Sequence, residues 1–204
     1  MADIRIKGQN RSGMRQGFIK VAAVTPKIKV ADPVYNGTQI CQRMEEACAR
    51  GAKIIVFPEL CITGYTCGDL FMQQLLLEEA SRQLLRIAEA TAGRDALVMV
   101  GLPMEREGRL YNVAAVLWQG QVLGLVPKAN IPSYAEFYEG RHFTEGNREP
   151  VSFEIGGDIG LGNQPQNLSL PQQGRNIIQT AVPLYRKSYR HQRILATGSS
   201  LDFG

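Results

Sequence analysis

No cysteine follows Cys67 in this 204-residue chain, and the four present never fall at C-x-x-C spacing. Histidine is scarcer still, with only His142 and His191, so the sequence offers no zinc-site pattern and no metal is expected. No run approaches the roughly 20 apolar residues that span a bilayer, so no membrane partner is expected. The opening MADIRIKGQNRSGMRQG is polar and basic and lacks the apolar centre of a secretory signal. Four cysteines without such a leader fit a reducing, cytoplasmic setting. A basic surface interleaved with aromatics is also missing. The net charge is +4, but five Lys/Arg stand against one acid over residues 1–20, and five against two over residues 158–204. The remaining 13 Lys/Arg and 16 Asp/Glu leave the centre at −3. The basic pI near 8.9 belongs to the ends, and no nucleic-acid partner is expected. Gly160 and Gly162 are followed by neither a lysine nor a helical pattern, which excludes a phosphate loop there.

What is present is ordinary globular sequence, 44% hydrophobic and 21% charged. Residues 1–17 read as a disordered extension. Residues 18–25, FIKVAAVT, predict a central strand, and Asp32-Pro33 punctuates a loop. Ile40, Met44, Ala47 and Cys48 share one face of a helix over residues 36–50, which Gly51 stops. A strand over 53–57 follows. Leu76, Ala80, Leu84, Ile87 and Ala88 form the stripe of a second helix over 73–92, ended by Gly93. Residues 96–102 predict another buried strand. Then the period becomes two: strands over 110–118 and 121–126 meet at Gln119-Gly120, with a further turn at Glu107-Gly108. The class is α/β, a mixed sheet with helices on one face and then a β-meander. From Asp158 the composition shifts to Gly, Gln, Asn and Pro. Residues 158–204 read as a divergent, poorly ordered tail.

Two stretches hold the chemistry. In KIIVFPELCITGYTCGDLF, residues 53–71, a β-branched run ends at Pro58 and is followed at once by Glu59. A carboxylate at the carboxyl end of a buried strand sits where open α/β sheets place their ligands. In VPKANIPSYAEFYEGRHF, residues 126–143, Lys128 likewise follows a strand and a proline. One acid and one base thus occupy strand ends. Cys61 lies two residues from Glu59, and in an extended chain it would point away from the same pocket.

These stretches, with VGLPMEREGRLYNVAAVL between them, resemble the nitrilase or carbon-nitrogen hydrolase superfamily. The nearer resemblance is to the glutaminase domains at the amino end of glutamine-dependent NAD synthetases. It covers residues 18–157 and implies the first half of an α-β-β-α sandwich. It also implies that the strands over 96–102 and 110–118 face a partner sheet. For the site it implies Glu59 as general base, Lys128 as the cation at the oxyanion, and Tyr65, Tyr134 and Phe137 along a glutamine pocket. Glu136, in Tyr-x-Glu, is implied as an acid supporting the lysine. The family's nucleophile, a cysteine in Cys-Glu-Asp, has no counterpart in these residues, and neither has the ATP-binding synthetase part. The expectation is therefore a partial domain, truncated after about residue 157 and inactive alone. It has glutamine as family substrate, no cofactor of its own, and ATP as a requirement only of the parent enzyme. The family's members oligomerise; for this chain the state is open. A piece of another nitrilase-type amidase and a non-catalytic interaction module stay open as alternatives, the former disfavoured by GYTCGDLF and YAEFYE.

Overall fold

The computed structural model describes residues 19–132, 138–146 and 155, all within one compact unit, Met1–Asn167. Among the described residues five strands form one sheet, ordered as in the sequence: β1 (Val21–Ala23), β2 (Ile54–Val56), β3 (Leu97–Arg106), β4 (Arg109–Trp118) and β5 (Gln121–Pro127). The first three are parallel, and β3, β4 and β5 are antiparallel. Helices α1 (Pro33–Ala49) and α2 (Gln74–Ala90) make the two crossovers. The mixed α/β architecture expected from the sequence is what is observed.

Both helices pack on one face of the sheet. Ile40, Met44 and Ala47 of α1 and Ala80, Leu84, Ile87 and Ala88 of α2 join Ile55, Val98, Val100, Leu102, Val113, Ala115 and Leu117 in a single core. Alternation along each strand sends Ile54, Leu97, Met99, Ala114 and Val116 to the opposite face. Leu97, Met99 and Val116 are among the side chains expected to face a partner sheet. In this structure they too are buried, Met99 and Val116 at 2% exposure.

Helix α1 begins three residues earlier than its apolar stripe suggests. The Asp32 carboxylate accepts from the Tyr35 amide at 3.0 Å and Pro33 takes the first turn, so Asp-Pro is a helix start rather than a loop mark. Strand β3 runs on past Leu102, through Pro103, to the turn at Glu107-Gly108. Pro103 stands opposite Asn112. Counted from the turn, that pair exchanges no hydrogen bonds, so proline's missing N–H faces away from β4. On that side β2 has already ended, its last pair being Val56 with Met99. Both meander turns hold two residues at positive φ: Glu107 and Gly108 at 52° and 70°, Gln119 and Gly120 at 50° and 83°. That is the turn whose twist matches a two-residue hairpin. Among the described residues, no helix is long and apolar enough to cross a membrane.

Candidate active site

Glu59 leaves β2 on a tight turn rather than an extended chain. Gly64 donates to the Leu60 carbonyl at 2.7 Å, and Leu60 itself adopts φ of 51°. The turn rests against β3 at Gly101. A Cβ on Gly101 would lie 2.8 Å from the Pro58 oxygen and 2.9 Å from the Glu59 carbonyl carbon, with the Leu60 nitrogen closer still. Glycine is there because backbone meets backbone. Ile62 then donates to the Gly101 carbonyl at 3.1 Å and closes the loop onto the strand.

Lys128 follows β5. Its amide donates to the Asn112 carbonyl at 2.8 Å, and its own carbonyl accepts from Gly146 at 2.9 Å. The sheet register therefore sets Lys128 beside Asn112, on the face opposite the helices and near Gly101. The Lys128 ammonium meets Glu59 Oε1 at 2.8 Å. It also meets both oxygens of Glu139, at 2.9 and 2.7 Å. Glu139 opens a short 3₁₀ turn, Glu139–Arg141. The Tyr65 hydroxyl donates to Glu139 Oε1 at 2.7 Å, and the Asn112 side-chain amide donates a short bond to Glu59 Oε1.

The result is a cluster of two carboxylates around one ammonium, with a phenol on Glu139 and an amide on Glu59. Its side chains are only 6% (Glu139), 13% (Glu59) and 23% (Lys128) exposed. Low exposure strengthens each attraction and raises the penalty for leaving any member unpaired. Tyr65 as a residue is 40% exposed, yet its phenol is held well above the ordinary tyrosine range. Burial of the hydroxyl comes first, then the bond to Glu139, then the charges of Glu139 and Glu59.

Tyr65 was expected along a substrate pocket; here its hydroxyl is engaged by Glu139. Tyr134, Glu136 and Phe137 lie outside the described residues. The acid described at Lys128 is Glu139, three residues beyond the Glu136 that the sequence pointed to. Asn112 was also missed. A polar residue inside the apolar run LYNVAAVLW was the available signal, since a 4%-exposed asparagine must bond to something. Cys61 is buried away from the cluster, exchanging contacts with the Gly101 amide and carbonyl at 3.4 and 3.6 Å. Burial pushes its thiol up to about 12.

The loops bearing Tyr65 and Glu139 pack on a second, smaller core of Leu60, Cys67, Phe71, Leu76, Leu77, Leu110 and Phe143. Phe71 lies edge-on to both His142 and Phe143 at centroid distances of 5.9 and 5.1 Å. Arg141 adds an exposed ion pair to Asp69 at 3.1 Å.

A family model described as carbon-nitrogen hydrolase matches residues 20–165. The chain belongs to the carbon-nitrogen hydrolase family. Among its relatives is the glutamine-dependent NAD(+) synthetase of Mycobacterium tuberculosis, 36% identical over 152 residues. That alignment covers 74% of this chain but 22% of the relative, so the chain spans about a fifth of that protein's length. The structure resembles the glutamine-dependent NAD(+) synthetase of Cytophaga hutchinsonii, with a TM-score of 0.62 and 32% identity, over 65% of this chain and 23% of that one. An amidase from Nesterenkonia sp., at 23% identity and a TM-score of 0.53 over 67% of this chain and 51% of that one, shares the fold. The sheet thus brings Glu59 and Lys128 together, and the 3₁₀ turn adds Glu139.

Proposed function

We propose that this chain provides the base and the cation of a glutamine amidohydrolase site. Its parent would be a glutamine-dependent NAD synthetase, in which ammonia from glutamine serves the ATP-dependent amidation of deaminated NAD. The observation behind this reading is the Lys128 ammonium bridging Glu59 and Glu139 at 2.7–2.9 Å. The two carboxylates are not equivalent. Glu139 binds Lys128 through both oxygens and accepts from Tyr65, which leaves it a structural counter-ion. Glu59 uses only Oε1 for Lys128 and Asn112. Its Oε2, with no hydrogen bond among the described residues, is the oxygen able to take a proton.

In the reaction, a cysteine thiol gives its proton to Glu59 and the thiolate adds to the amide carbonyl of glutamine. Lys128 faces the oxyanion so formed. The nitrogen takes the proton back and leaves as ammonia. Glu59 then draws a proton from water, whose hydroxide cleaves the thioester to glutamate and frees the thiol. None of the four cysteines in these residues suits the first step: none follows Cys67, and Cys61 is buried with its thiol near 12. The chain by itself is expected to release no ammonia from glutamine above background, and Cys61→Ser leaves that background unchanged.

The deciding experiment replaces the matching segment of the M. tuberculosis relative with residues 20–157 of this chain. Glutamine-driven ammonia release is expected to persist in the chimera and to vanish with Glu59→Gln or Lys128→Met, while NAD formation from free ammonia continues. A chimera that uses free ammonia but not glutamine overturns the reading.

A further inference from the structure

We propose that Asn112 is the positioning residue of this site, holding base and cation in register from the middle of β4. The inference rests on the amidohydrolase reading and deepens it. Two separate bonds converge on this one residue. Its main-chain carbonyl accepts from the Lys128 amide at 2.8 Å. Its side-chain amide donates to Glu59 Oε1, the same oxygen that Lys128 holds. Asn112 is 4% exposed and sits on the strand that links β3, against which the Glu59 turn rests, to β5, which ends at Lys128.

The chemistry requires both donors on one oxygen. A carboxylate held only by a lysine swings about its last bond and offers either oxygen to the thiol. A second donor on Oε1, fixed by the sheet, locks the plane of the carboxylate and commits Oε2 to proton transfer. An asparagine amide suits the place because it donates without titrating. Its nitrogen, not its oxygen, must face Glu59, since a carboxylate only accepts. An aspartate of the same shape has no such donor, and a leucine has neither polarity nor charge.

The test uses the full 204-residue chain, labelled with ¹⁵N, and compares the Asn112 side-chain amide protons in the wild type and in two variants. One proton is expected downfield of ordinary asparagine amides. Glu59→Gln removes that displacement, and Glu139→Gln keeps it. A kinetic arm places Asn112→Leu and Asn112→Asp in the chimera described above. Both are expected to lower kcat about 10- to 100-fold, the loss of one hydrogen bond to a charged group, with KM within about twofold, as for a residue that acts through Glu59. Asn112 protons indifferent to Glu59→Gln, or wild-type kcat in either variant, overturn the proposal. Should the amide signature be present in a chimera-competent sequence that nevertheless hydrolyses no glutamine, the amidohydrolase reading falls and the Asn112–Glu59 bond stands.

Discussion

Lys128 bridges two carboxylates at once, so its removal leaves Glu59 and Glu139 near each other without the cation between them. Lys128→Met is expected to destabilise the fold by about 2–4 kcal/mol, less than for a fully buried pair because the cluster keeps some solvent contact. Urea unfolding measures it, and adding Glu139→Gln should restore part of the loss. Tyr65 supplies a pH signature. Its protonated phenol is favoured in the fold, so its contribution is complete below the ordinary tyrosine pKa near 10. Above that value the unfolded chain ionises first, and stability declines as pH climbs toward the folded value. Tyr65→Phe should flatten this alkaline limb of the urea midpoint. Cys61 should resist iodoacetamide at pH 8 until the chain is unfolded, whereas the half-buried Cys41 and Cys48 react first. Glu59 and Lys128 were legible because each follows a strand and a proline. Glu139 was not, because nothing in the spacing of YAEFYEGR marks the acid of the 3₁₀ turn as a partner for Lys128.

Elements were read most accurately where periodicity is strong. The stripe of α2 is buried residue for residue and that of α1 in all but the half-buried Cys48, and both meander turns fall at the dipeptides that announced them. The ends were less legible. Proline usually closes a strand, and only the early end of β2 lets β3 continue through Pro103. Gly101 is a similar case: in sequence it is one small residue in a strand, in space it is where the Glu59 turn touches β3. Gly101→Ala is expected to cost about 1–3 kcal/mol as overpacking and to push Glu59 away from Lys128, visible as a lengthened contact in a crystal structure. Just past the 3₁₀ turn, the His142 Nδ1 is buried with no hydrogen-bond partner among the described residues, within an aromatic cluster. His142→Phe should therefore raise stability by about 1 kcal/mol in urea unfolding.

At the scale of the molecule, the order of strands and helices was legible because each period, 3.6 or 2, persists for several turns or pairs. The burial of the sheet face away from the helices was not, since alternation tells which side chains share a face but not what covers them. The site's wiring has a further consequence, in folding kinetics. Glu59 and Lys128 are 69 residues apart, and Tyr65 and Glu139 are 74 apart. The β4–β5 hairpin, by contrast, closes over two residues beside Trp118, the one tryptophan. Loop closure over such separations is entropically late. Refolding should therefore recover Trp118 fluorescence before the cluster forms. Val116→Ala should slow refolding, whereas Lys128→Met should act almost wholly by speeding unfolding, a φ-value near zero. The charges that would do the chemistry are thus expected to find one another late in refolding and to part early in unfolding.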